Sequence, residues 1–139
     1  MRVVLDTNAV VSALLWGGIP DQLLTAATEG RIELYTSEPL LAELTEVLPR
    51  PKFAQRIQKA GRTVGQLVEQ YRGLAEVVEP AAITSGTLAD PDDDHVLACA
   101  LAARADLIVS GDAHLLNLKA YQRIPIVTVA EALTRLAQR

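Results

Sequence analysis

The sequence predicts an α/β fold built on a parallel sheet. Short β-branched runs alternate with longer stretches of helical periodicity. Capping residues and glycine or proline stops stand between them. Half of the residues are hydrophobic and only 4% are aromatic, so the core must be aliphatic.

Val3-Val4-Leu5 reads as a buried first strand ending at Asp6. An apolar helix from Ala9 to Trp16 follows and closes at Gly17-Gly18. Pro20-Asp21 opens a second helix that stops at Gly30. Arg31 to Tyr35 alternates as a second strand, with Ile32 and Leu34 inward. Ser37 is placed to cap a helix running to Leu48, which Pro49 and Pro51 end. Helices over Pro51–Ala60 and Thr63–Leu74 are separated by Gly61, and Thr63 with Gln66 has capping-box spacing. Ala75–Glu79 is a third strand and Ala81–Ala89 a loop. Asp90-Pro91 starts an alanine-rich helix to Arg104. Asp106–Ser110 is a fourth strand, followed by Gly111-Asp112 and a short helical turn over Ala113–Leu116. Ile124–Thr128 is a fifth strand, and Thr128 with Glu131 makes a second capping box for the terminal helix.

A chain of 139 residues fits one domain, 1–139, and can bury its own core without staples. Asp6 arrives too early for the apolar stretch of a signal peptide, and no apolar run is long enough to span a bilayer. The cytoplasm is the expected location, with no membrane partner. Cys99, the one cysteine, excludes an internal disulfide and most zinc motifs. The net charge of −4 argues against nucleic-acid binding by bulk electrostatics. It leaves room for a local basic strip. Arg50, Lys52, Arg56, Lys59 and Arg62 fall in one stretch, and no acid occurs from Pro49 to Val68. Lys52, Arg56 and Lys59 have the i, i+4, i+7 spacing of one helical face, which makes the strip a candidate RNA contact beside its plainer reading as a solvated face.

The acids concentrate elsewhere. Asp6 and Asp112 each fall at the carboxyl end of an expected strand, where open parallel sheets bind ligands. A lone Asp in such a place also serves as a cap or turn residue. Asp90 is placed to cap the helix that follows, and Asp92, Asp93 and Asp94 sit where the helix dipole favours negative charge. Four acids in five residues exceed what capping requires, and a bound cation would offset their mutual repulsion. On the helix after Ser37, Leu40, Leu41, Leu44, Val47 and Leu48 form the buried stripe. At about 100° per residue Glu43 lies at its edge, roughly 40° from Val47. Asp93 lines up with Val96, Leu97 and Ala100, and Asp94 with Leu97, Ala98 and Leu101, so both remain candidates. Oxygen ligands without His or Cys suit Mg²⁺ or Mn²⁺ rather than zinc.

The order of these motifs resembles the PIN-domain family, most closely its toxin-like branch of VapC-type ribonucleases. The likeness covers essentially the whole chain. It is carried by Val3 to Leu14 with Asp6 and Asn8, by Glu38 to Leu44 with Glu43, by Asp90 to Ala98, and by Leu107 to Asp112. It implies a three-layer α/β/α fold with a central parallel sheet of about five strands. It implies a metal-dependent endoribonuclease in which Asp6, Glu43, Asp93 or Asp94, and Asp112 bind Mg²⁺ or Mn²⁺. Asn8 and Ser110 would orient carboxylates or water. RNA is the implied substrate, an antitoxin protein the implied partner, and a homodimer the implied assembly.

His95 and His114 flank the acids and read as surface or capping residues, Cys99 as core, and Trp16 as packing or an interface anchor. Tyr35, Tyr71, Tyr121 and Phe53 are too scattered along the chain to suggest base stacking. Three rival readings stand beside the nuclease. A receiver-type signalling domain needs paired acids after the first strand and a lysine after the last, and neither is present. A dehalogenase-type phosphohydrolase needs a second Asp where Asn8 stands. A non-catalytic interaction module that retains an acidic metal site needs no further residue.

Overall fold

The computed structural model describes residues 1–83 and 91–138, with Pro91 and Asp92 described through the backbone alone. Asp90 as a helix cap and the side chain of Asp92 therefore lie outside the described residues. The order is β1 (Arg2–Leu5), α1 (Thr7–Leu15), α2 (Asp21–Thr28), β2 (Glu33–Thr36), α3 (Glu38–Val47), a 3-10 turn (Pro51–Phe53), α4 (Ala54–Ala60), α5 (Val64–Leu74), β3 (Ala75–Val77), α6 (Pro91–Ala103), β4 (Leu107–Val109), α7 (Ala113–Leu118), β5 (Ala120–Tyr121), β6 (Ile124–Val127) and α8 (Val129–Ala137).

The strands form one six-stranded sheet in the order β3-β2-β1-β4-β6-β5. All neighbours are parallel except β5 against β6. Val3 lies between Leu34 and Leu107 in register. The chain winds outward from β1 to β2 and β3, then returns through α6 to β4 on the other side of β1. The switch in direction thus falls between β1 and β4, where such sheets open a crevice at their carboxyl ends.

Alternation along the strands divides the core into two layers. Val3, Leu5, Leu34, Leu107 and Val109 face one cluster with Val10, Leu23, Leu44, Leu67 and Leu136 from the helices. Val4, Tyr35, Ile108 and Ile126 face the other, with Val96, Leu97 and Cys99 of α6 and with Leu115 of α7. Helix α3 contributes to both. Leu41, Leu44 and Val47 belong to the first cluster and Leu40 to the second.

Most boundaries follow local chemistry. Ser37 caps α3 by accepting from the Leu40 N–H, and Thr63 with Gln66 forms the complete capping box of α5. At α8, Thr128 accepts from the Glu131 N–H, which is the first half of the expected box. Gly30, at φ 75°, ends α2 with two paired bonds: Gly30 N–H to the Ala27 carbonyl and Arg31 N–H to that of Ala26. Helix α6 ends the same way, but with Arg104 at φ 52° where glycine is usual.

Two departures stand out. Pro51–Phe53 forms a 3-10 turn rather than the start of one continuous helix, so α4 begins only at Ala54. The strand β5 has no counterpart in the sequence reading. It pairs with β6 through the two-residue loop Gln122-Arg123, both residues at positive φ. Such loops are ordinarily signalled by Asn-Gly or Asp-Gly, and Gln-Arg gives no such sign.

Leu97 is fully buried on α6, the helix that carries Asp93 and Asp94. Leu97→Ala is expected to cost about 3 kcal/mol of unfolding free energy. The urea midpoint at unchanged slope checks this. A loss below about 1 kcal/mol would contradict the packing described here.

Candidate active site

The crevice between β1 and β4 is built from the residues that follow these strands. Asp6 comes directly after β1 and starts α1; its Oδ1 accepts from the Ala9 N–H at 2.8 Å. Its Oδ2 accepts from the Ser110 hydroxyl. Ser110 follows β4, and its Oγ in turn accepts from the Asp112 N–H at 2.9 Å. Asp112 caps α7, with Oδ1 accepting from His114 N–H at 2.7 Å and Leu115 N–H at 3.3 Å. The capping reading of Asp6 and Asp112 is therefore realised for one oxygen of each. The other oxygen of Asp6 is drawn to the β4 side, and the cap does not use Oδ2 of Asp112.

Asp6 is only 5% exposed. Burial raises its pKa, and the nearby charge of Asp112 adds to the rise. The groups that lower it are hydrogen-bond donors, Ser110 and the backbones of Ala9 and Gly111, not a Lys or Arg. Among the described residues, no cationic side chain is among the groups that act on Asp6.

Two helices bring further acids. Asp93, buried in the first turn of α6, and Asp94, half-buried beside it, have Oδ2 and Oδ1 respectively withdrawn from solvent. Glu43 on α3 is half-buried with its Oε2 also withdrawn. The link between these helices is Leu40, which joins the cluster containing Val96 and Leu97. Glu43 lies one turn beyond Leu40, and Asp93 one turn before Val96. Greater burial distinguishes Asp93 from Asp94.

Beneath Asp6 lies a polar layer that sequence reasoning missed. Tyr71 of α5 is fully buried, and burial first, then the charges of Cys99 and Asp6, raise its pKa. Thr7 Oγ1 and the Tyr71 hydroxyl are buried without a hydrogen-bond partner among the described residues. Both line a small enclosed cavity of about 10 Å³ together with Thr36, Leu40 and Leu44. Burial pushes the Cys99 thiol up to about 12, with Ser37 acting in the opposite sense. Tyr71 stands far along the chain from Asp6, and the sequence marked it only as one of the scattered aromatics.

Asn8 is exposed on the first turn of α1 and makes no side-chain hydrogen bond among the described residues. His95 is half-buried and His114 exposed. Arg50, Lys52, Arg56 and Lys59 are all exposed, and none enters an ion pair among the described residues. They do not share one helical face as the spacing suggested. Lys52 belongs to the 3-10 turn, and only Arg56 and Lys59 lie on α4. Trp16, read as packing or an interface anchor, meets Phe53 edge to face, ring centroids 5.8 Å apart.

The donor set suits a hard divalent cation: it is all-oxygen, with Asp6 and Asp93 buried and Glu43, Asp94 and Asp112 half-buried. Asp6, Glu43, Asp93, Asp94 and Asp112 are the residues that would hold it. Among the described residues, no three His, Cys, Asp or Glu side chains stand at metal-holding distance from one another. No helix among them is long and apolar enough to cross a membrane.

Comparison with known proteins gives two findings. A family model described as PIN domain matches residues 2–114. An uncharacterized protein of Methanocaldococcus jannaschii, MJ1680, is 28% identical over 120 residues, covering 86% of this chain and 76% of the relative.

The raised pKa of Asp6 has a definite sign. Its native carboxyl binds a proton more tightly than the unfolded one, whose ordinary value is 3.8. Asp6 therefore favours the fold at acid pH, and this contribution fades as pH rises from the ordinary value through the raised one. In chelator-treated buffer at pH 7, Asp6→Asn, which keeps the cap acceptor, is expected to have a higher Tm than wild type. The gap should close on acidification below pH 4. A lower Tm for the variant at pH 7 would contradict the account.

Proposed function

The chain belongs to the PIN-domain family, a class of nucleases that typically bind divalent metal, and on that premise we propose that it is a metal-dependent endoribonuclease acting on RNA phosphodiester bonds. The observation that carries the reading is the buried, uncompensated Asp6 at the β1–β4 seam, with Ser110 bonded to it and Asp112 beside it. Asp6, Glu43, Asp93, Asp94 and Asp112 would hold Mg²⁺ or Mn²⁺. When bound, such an ion neutralises charge on a phosphodiester and polarises it toward attack by water.

The chain's own residues do the positioning. The Ala9 N–H and Ser110 hydroxyl each hold one oxygen of Asp6, so its carboxylate has little rotational freedom. The Asp112 N–H fixes Ser110 in turn, coupling the ends of β1 and β4. Leu40, Val96 and Leu97 pack in one buried apolar cluster, one turn from Glu43 and Asp93 on their helices. Asn8 is exposed two residues after Asp6, where an amide can meet a phosphate or ribose oxygen.

The toxin role is part of the same proposal. The motif order supports it, with an antitoxin placing a basic side chain beside Asp6 and the toxin assembling as a homodimer. Growth and bulk RNA left intact on expression without a partner would count against that role.

The direct test incubates purified protein with mixed RNA in Mn²⁺ or Mg²⁺. Cleavage is expected with either ion and should cease in EDTA. Asp6→Asn should slow it on the order of 100-fold or more. Cleavage that persists in chelator, or survives in Asp6→Asn, would refute the mechanism.

A further inference from the structure

Along α1, starting two residues after Asp6, lies an open cleft of about 590 Å³, lined by Asn8, Ser12, Trp16, Pro20, Lys52 and Phe53 among others. We infer that this cleft is a track for single-stranded RNA, leading from the acid site along α1 to a stacking platform at Trp16. The inference rests on the ribonuclease reading for its occupant and adds where the strand runs.

Asn8 and Ser12 stand one turn apart on α1, Trp16 is the extended C-cap residue that follows it, and all three line the cleft. At 1.5 Å per residue the helical stretch from Asn8 to Leu15 rises about 10 Å toward Trp16. Its near end lies two residues beyond Asp6. The order along it is an amide, a hydroxyl and an indole, groups that bond to phosphate, ribose and base in turn.

The far end is an aromatic and cationic platform. Phe53 buttresses Trp16 edge-on at 80°, and the Arg56 guanidinium lies over the indole at 5.1 Å. Lys52 stands over the Phe53 ring at 5.0 Å. Indole faces and guanidinium planes both stack on unpaired bases, and the two cations sit where adjoining phosphates would pass.

Charge complementarity selects the occupant. Lys52 and Arg56, with Arg50 and Lys59 nearby, are exposed cations without ion pairs among the described residues. No acid occurs from Pro49 to Val68, in a chain of net charge −4. An acidic peptide would satisfy the cations but leave the indole and the path to the acid site unused.

Trp16 is the protein's one tryptophan, so its emission reports the platform directly. The experiment titrates the Asp6→Asn protein with a short oligouridylate in Mg²⁺ buffer, so that binding is read apart from turnover. Saturable quenching of Trp16 emission is expected. The added pair Lys52→Glu and Arg56→Glu should weaken binding at least about ten-fold and reduce the salt slope by about 1.4. The same charge change at Arg104 and Arg135, on other surfaces, should stay within about two-fold. Binding without quenching, equal losses from both pairs, or equal quenching by polyglutamate would overturn the track. If wild type cleaves no RNA yet binds in this way, the track stands and the ribonuclease reading falls.

Discussion

A carboxylate buried without a countercharge is costly, and this fold keeps one at the seam between β1 and β4. Asp6 is held there by two hydrogen bonds, one from its own helix and one from the neighbouring strand end. Neither donor is charged. Hydrogen bonds to the ionised form offset part of the burial cost, but burial still dominates and the carboxyl's pKa stays raised. A site of this kind is stabilised by whatever brings positive charge into it. On the proposed reading, metal binding and stability are therefore coupled at one side chain.

The topology explains why Asp6 and Asp112 come near one another in this corner. The reversal in strand order leaves the ends of β1 and β4 side by side, and a helix starts just beyond each. Helix starts favour Asp as a cap, so capping and the proposed metal-holding role fall on the same residues. One oxygen of each Asp satisfies the cap and thereby fixes the rotamer. Helix α3 touches both core layers, which lets Leu40 reach α6 and sets Glu43 one turn beyond that contact. The basic segment lies apart, on the 3-10 turn and α4, against the end of α1. Separating the two signs of charge keeps the cations from neutralising the acids directly.

Much of this architecture was legible in the sequence. Val3-Val4-Leu5, Leu107-Ile108-Val109 and the caps at Ser37 and Thr63 carry strong local signals, and the structure places elements there. Asp6 and Asp112 could be put at strand ends because each follows an apolar β-branched run. What stayed hidden has a common cause: it depends on contacts distant in sequence or on backbone forms without a compositional sign. The loop at Gln122-Arg123 takes positive φ without Asn or Gly. Tyr71 sits beneath Asp6 although 65 positions separate them along the chain. Phe53 reaches Trp16 only because the 3-10 turn folds it back onto α1. Helical spacing placed Lys52 with Arg56 and Lys59 because nothing in the pattern distinguishes a 3-10 turn from the first turn of an α-helix.

A buried carboxylate at the β1–β4 seam and an aromatic, cationic shelf at Trp16 thus stand at the two ends of one short helix. The central claim concerns the seam. The measurement that tests it most directly is an anomalous difference map from crystals grown or soaked with Mn²⁺. The account predicts a manganese peak at the β1–β4 seam, coordinated by Asp6 and by carboxylates from Glu43, Asp93, Asp94 or Asp112. Crystals saturated with Mn²⁺ that show no density there, or an ion bound without Asp6, would contradict it.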